Sequence, residues 1–154
     1  MGSCSTIVKA IHKAVERTYA TLVTRVDRSP RRRAHIHRIP ILIGSVDAPV
    51  AKRQTSSSAG REATINGGLH AHGILLTPPV SRLRCSVADH LAANQHLYVP
   101  SDSRILRLHV VPIESDPERV TDYALKGIKN GRLDYDDAII VLPRALSELP
   151  DRRA

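Results

Sequence analysis

Leu69-His70-Ala71-His72-Gly73-Ile74-Leu75-Leu76 is the stretch on which the reading of this chain turns. Asn66-Gly67-Gly68 opens it with a turn signal, and Pro78-Pro79 closes it with residues that cannot continue a sheet. The run between them predicts a strand, and in a strand residues two apart share a face. His70 and His72 therefore stand side by side. Upstream, Ile39 to Val46 predicts a partner strand, with Pro40 near its start, where a missing donor costs least. Tyr19 to Val26, Arg104 to Ile113 and Ala138 to Leu142 are β-branched or alternating enough to add three more. Helical spacing marks Ile7 to Arg17, with Ser5 or Thr6 as cap, and Ser81 to His96. A third helix opens at Asp116-Pro117-Glu118, with Asp at the cap, Pro at the first position and Glu in the first turn, and runs to Asn130-Gly131. Ala51 to Gly60 reads as an exposed loop. This order predicts an α+β domain with a mainly antiparallel sheet and helices packed on one face.

The 154 residues make one domain's worth of chain. With no Phe and no Trp, its core must be built from Val, Ile, Leu and Ala. Lys and Arg outnumber Asp and Glu, 23 to 15, a net charge of +8. Arginine donates paired hydrogen bonds to phosphate oxygens, so the surplus points to nucleic acid, although an arginine-rich proteome would leave the same imprint. Arg31, Arg32, Arg33, Arg82 and Arg84 are the candidate nucleic-acid contacts. No stretch joins a basic face to a bulky apolar one, and no apolar run is long enough to span a bilayer, so no membrane partner is expected. Cys4 and Cys85 form no framework, and Met1 to Thr6 carries no secretory pattern; a cytoplasmic location is the expectation.

Two residue groups can carry chemistry. The imidazoles of His70 and His72 can hold one metal ion, although two solvated or phosphate-facing histidines would share the pattern. His35-Ile36-His37, after three arginines, reads as a basic phosphate-contacting turn. Tyr123 and Lys126, three apart in the late helix, lie on one face. A tyrosine hydroxyl attacks phosphorus when a cation stabilises its phenolate and a metal polarises the target, but a tyrosine packed on the sheet would have the same spacing. Tyr135-Asp136-Asp137 reads as a solvated turn.

A His-x-His strand followed by Val120-Thr121-Asp122-Tyr123-Ala124-Leu125-Lys126 resembles the HUH endonuclease superfamily, particularly rolling-circle replication initiator proteins. The resemblance covers roughly residues 19–143 as one ferredoxin- or RRM-like HUH core, leaving 1–18 as an N-terminal helix and 144–154 as a polar tail. It implies that His70 and His72 hold Mn or Mg over a phosphate of single-stranded DNA. It also implies that Tyr123 attacks with help from Lys126, leaving a 5′-phosphotyrosine link and a free 3′-hydroxyl, in the replication of a plasmid or other mobile element. Family members carry a further ligand; Glu62 is the first candidate and Asp47 the second. The family's first motif would fall on Tyr19 to Val26. A basic nucleic-acid-binding module without chemistry is the alternative.

Overall fold

The structure, a computed structural model, describes residues 2–47, 70–103, 105–131 and 133–150. Its first element, α1, is a single helix over Gly2–Val26. The expected strand at Tyr19 to Val26 is its second half. Val8, Tyr19, Leu22, Val23 and Val26 are all buried at helical spacing, one stripe that outweighs the local β-branched preference. The threonines that suggested a strand bond back along the helix, Thr21 Oγ1 to the Arg17 carbonyl (3.0 Å) and Thr24 Oγ1 to the Thr21 carbonyl (2.7 Å).

The sheet has three strands in the order β2-β1-β3: β1 is Ile41–Asp47, β2 is His70–Leu76 and β3 is Ile139–Leu142. Both pairings are antiparallel, so the α+β class with helices on an antiparallel sheet is observed. Leu42, Val46, Ile140 and Leu142 point to one face and join Val8, Tyr19, Val23 and Leu149 in the main core. Tyr19 ties helix to sheet by donating its hydroxyl to the Pro40 carbonyl at 2.7 Å. Leu149 comes from beyond β3, so the segment after residue 144 also packs inward.

A second cluster joins the end of α1 to the pair α2 (Val87–Ala93) and α3 (Gln95–Tyr98) through Leu22, Val26, Val87, Leu91 and Tyr98. The expected single helix from Ser81 therefore starts later, capped by Ser86, and breaks at Asn94. Residues 105–113 form no strand. Their alternation is used instead to turn Leu108 and Val110 onto this cluster, while the Leu108 carbonyl accepts from Gln95 Nε2 at 3.0 Å.

The late helix keeps its expected opening: Asp116 accepts from the Arg119 amide, with Pro117 behind it. It is two pieces, α4 (Pro117–Ala124) and α5 (Lys126–Lys129), and both lie on the sheet face opposite α1. Helices thus cover both faces of the sheet rather than one. Tyr135–Ala138, expected as a turn, is a short helix, α6.

Asp27 ends α1, 3% exposed, accepting from the Ser29 amide (2.6 Å) and lying 2.9 Å from His35 Nδ1. Burial alone would push its carboxyl up, but the bonds from His35 and Ser29, with the charges of His35 and Arg38, outweigh it and hold it below the usual value. A depressed carboxylate stabilises the fold above its ordinary pKa and loses that contribution as pH falls through the folded one. Asp27→Asn should cost about 1–3 kcal/mol at neutral pH. In urea unfolding that deficit should shrink through the carboxylate range; a deficit independent of pH would contradict the assignment.

Candidate metal centre

The pairing of β1 with β2 sets Asp47 opposite His70 and Ser45 opposite His72. Directly paired residues project from the same face, so these four side chains form one patch beneath α4 and α5. One ligand atom each from Asp47, His70 and His72 lies within 4.8 Å of the other two, a spacing that could hold one metal ion. Asp47 is 1% exposed, His72 half-buried and His70 exposed, so the cluster opens towards solvent on the His70 side.

Two observations fit a cation. Among the described residues His72 Nε2 is buried with no hydrogen-bond partner, a vacancy that costs about 1–3 kcal/mol unless something accepts its lone pair. Burial first, then the charges of His70 and Lys126, push the His72 imidazole down to about 4, so it stays neutral and able to ligate at neutral pH. One carboxylate with two imidazoles suits Mn, Co, Ni or Zn better than Mg, and among the described residues these three are the candidate ligands. Asp47 was the second candidate for the third ligand. The first, Glu62, lies outside the described residues.

Tyr123 sits at the last turn of α4, its ring 4.6 Å from that of His72 between centroids and inclined at 61°. The His70 and His72 rings are themselves 4.5 Å apart, edge to face. Tyr123 is 53% exposed, so it is no core residue. Lys126 Nζ stands 4.2 Å from the centre of the Tyr123 ring and 3.4 Å from Asp47 Oδ2, and Asp47 Oδ2 is also 3.6 Å from His70 Nε2. Both halves of the constellation read from the sequence, the histidine pair and the Tyr–Lys pair, meet at one place.

Two residues that the sequence reading passed over hold this meeting together. The helix break at Leu125 leaves the Ala124 carbonyl to be satisfied by the buried Ser45 hydroxyl, which donates at 2.7 Å. Gly127 lets α5 touch β1: a Cβ there would lie 2.8 Å from the Val46 carbonyl oxygen and 3.0 Å from Asp47 Oδ1. A glycine one residue after the candidate lysine was the available signal.

The arginines are elsewhere. Arg32, Arg33, Arg82 and Arg84 are exposed on segments that enter and leave the sheet at its Ile41–Leu76 end, away from the Asp47–His70 end. Arg31 donates its Nε to the Leu149 carbonyl at 2.6 Å, which gives it a structural task. His35 is engaged with Asp27, while His37 remains exposed.

Lys126 is the counter-charge of a carboxylate that a cation would also need, so the two compete. Lys126→Met should bind Mn(II) several-fold more tightly than wild type, since the lysine ammonium would no longer compete for the Asp47 carboxylate. Titration of free Mn(II) by electron paramagnetic resonance reads this directly. Equal or weaker binding would mean that lysine and metal do not share the carboxylate. The chain matches no family model, no curated protein and no solved structure, so this centre is interpreted from its own geometry.

Proposed function

We propose that this protein is a metal-dependent nickase of single-stranded DNA, of the HUH type, acting in the replication of a mobile element. One observation carries the reading. The solvent-facing Tyr123 ring lies against His72 of a three-ligand cluster, with a lysine ammonium over its face. The Tyr123 ring is exposed and not packed in the core, and among the described residues no fourth protein ligand joins the three, as one would in a closed structural site.

In this reading Asp47, His70 and His72 hold Mn or Mg. When bound, the cation supplies Lewis acidity to the non-bridging oxygens of a phosphodiester. Tyr123 Oη, its proton passed to solvent, attacks phosphorus. The bond from phosphorus to the 3′-oxygen breaks, and that oxygen leaves with its electron pair and takes up a proton. The strand is left with a 5′-phosphotyrosine link and a free 3′-hydroxyl, and attack by such a hydroxyl on the link rejoins it. Lys126 places a positive charge beside both the attacking ring and the entering phosphate. Gly127 and Ser45 act as positioning residues, fixing how far α4 and α5 stand from the ligand strand.

The first family motif, assigned by resemblance to Tyr19 to Val26, lies in a helix. In the proposed reading β1, which carries Asp47, takes its place beside the histidine strand.

Incubating the protein with labelled single-stranded DNA and Mn(II), then resolving it on a denaturing gel, should give a protein-linked band. Tyr123→Phe should abolish that band while leaving salt-sensitive binding within about twofold, since binding is dominated by phosphate charge. His72→Ala should lose the band and the metal together. Cleavage that survives Tyr123→Phe would instead indicate attack by water, and loss of binding along with cleavage would make the tyrosine structural.

A further inference from the structure

At the other end of the same sheet face, the turn of 3-10 helix over Arg33–Arg38 folds across the start of β1 and the end of β2. Against it lies a shallow, largely open groove of about 210 Å³ lined by Ile36, His37, Ile41, Leu76, Thr77 and Pro78. Its walls are apolar, with two polar groups, the imidazole of His37 and the hydroxyl of Thr77, and no carboxylate among them. That is the usual make-up of a site for a flat organic group that must be oriented. The large apolar side chains at its mouth are left in water, Ile36 at 58% and Leu76 at 53% exposure. Isolated exposed apolar residues are common, but here Ile41, Ile43 and Val141 extend the same surface along the sheet.

Charge says what would cover it. Exposed Arg32 and Arg33 enter this turn, and Arg38 closes it, its Nε 3.4 Å from His37 Nε2. A neutral apolar ligand has no use for such a rim, whereas a phosphate-linked heterocycle matches both wall and rim. Position agrees. Ile41 and Leu76 are register partners, six residues along their strands from the partners Asp47 and His70, and so project from the same face roughly 20 Å away at a rise of about 3.3 Å per residue.

We infer that this groove is a nucleobase pocket, taking one unpaired base of a strand whose phosphate lies at the Asp47–His70–His72 cluster a few nucleotides away. The inference builds on the proposed function but makes a claim of its own. In a chain with four tyrosines and neither Phe nor Trp, the pocket supplies base contact that stacking platforms provide elsewhere.

Fluorescence anisotropy with Tyr123→Phe protein, which requires no cleavage, tests it with two probes: a short oligothymidylate, and a strand of equal length and charge whose sites are all abasic. The parent should prefer the base-bearing strand by about tenfold. Ile36→Ser with Leu76→Ser removes the apolar wall without changing charge, at positions exposed enough to spare the fold, which circular dichroism verifies. That variant should bind the abasic strand as the parent does and lose most of the preference. No preference in the parent, or one that survives the double substitution, overturns the pocket. So does a variant that changes only self-association in sedimentation, which would assign the face to a second copy of the chain. Since the assay needs neither metal nor nucleophile, a pocket without nicking and nicking without a pocket remain distinguishable.

Discussion

The register of β1 against β2 is the constraint on which the rest depends. It puts the carboxylate of Asp47 opposite His70 and the hydroxyl of Ser45 opposite His72, all on one face. A slip of one residue would carry both histidines to the opposite face, away from Asp47 and Tyr123. The register is pinned from both sides. Leu42 and Val46 of β1 belong to the core formed with α1, and Leu75 of β2 packs on the second cluster, so a slip of either strand would expose core residues. Between Leu42 and Val46, Gly44 faces Gly73, and any side chain at Gly44 would strike the His72 carbonyl. The closeness of the ligand strand to its neighbour is thus written into a residue that takes no part in chemistry.

The second element is brought to this patch by a helix that stops and restarts. Asp116, held at a positive φ of 50°, caps α4 and launches it, and Ser45 receives the carbonyl left over at its end. The break at Leu125 then lets Gly127 seat α5 against β1. The consequence is a lysine shared between an acidic ligand and an aromatic ring. Asp47, almost fully buried, has Lys126 Nζ at 3.4 Å and His70 Nε2 at 3.6 Å, a carboxylate already desolvated in the way a cation site requires.

Much of this was legible in the residues. The histidine strand, its partner, the final strand and the Asp116-Pro117 opening all lie within a residue or two of their expected places, because period-two alternation and capping chemistry are local. The failures share one cause, which is that burial decides between locally similar options. Tyr19 to Val26 alternates well enough for a strand, yet its buried residues continue the stripe begun at Val8. Residues 105–113 alternate because two of them pack on the α2–α3 cluster, and the ladder a strand needs does not form. The third ligand was undecidable from sequence for a similar reason. Asp47 and Glu62 both precede the histidines; the pairing of strands sets Asp47 against them, and Glu62 lies outside the described residues.

Arg32, Arg33, Arg82 and Arg84 stand at the end of the sheet away from the cluster. In the proposed reading, a strand lying along this sheet face would make salt-sensitive phosphate contacts at the arginine-flanked end and present a different phosphate to the cluster at the other. All of this presupposes that the cluster binds a metal. The most direct measurement is an anomalous difference map from crystals soaked in Mn(II). The account predicts one strong peak ligated by a carboxylate oxygen of Asp47 and by Nε2 of His70 and His72, with its open side towards Tyr123. Crystals that take up no manganese between these three residues, or bind it only elsewhere, would contradict it.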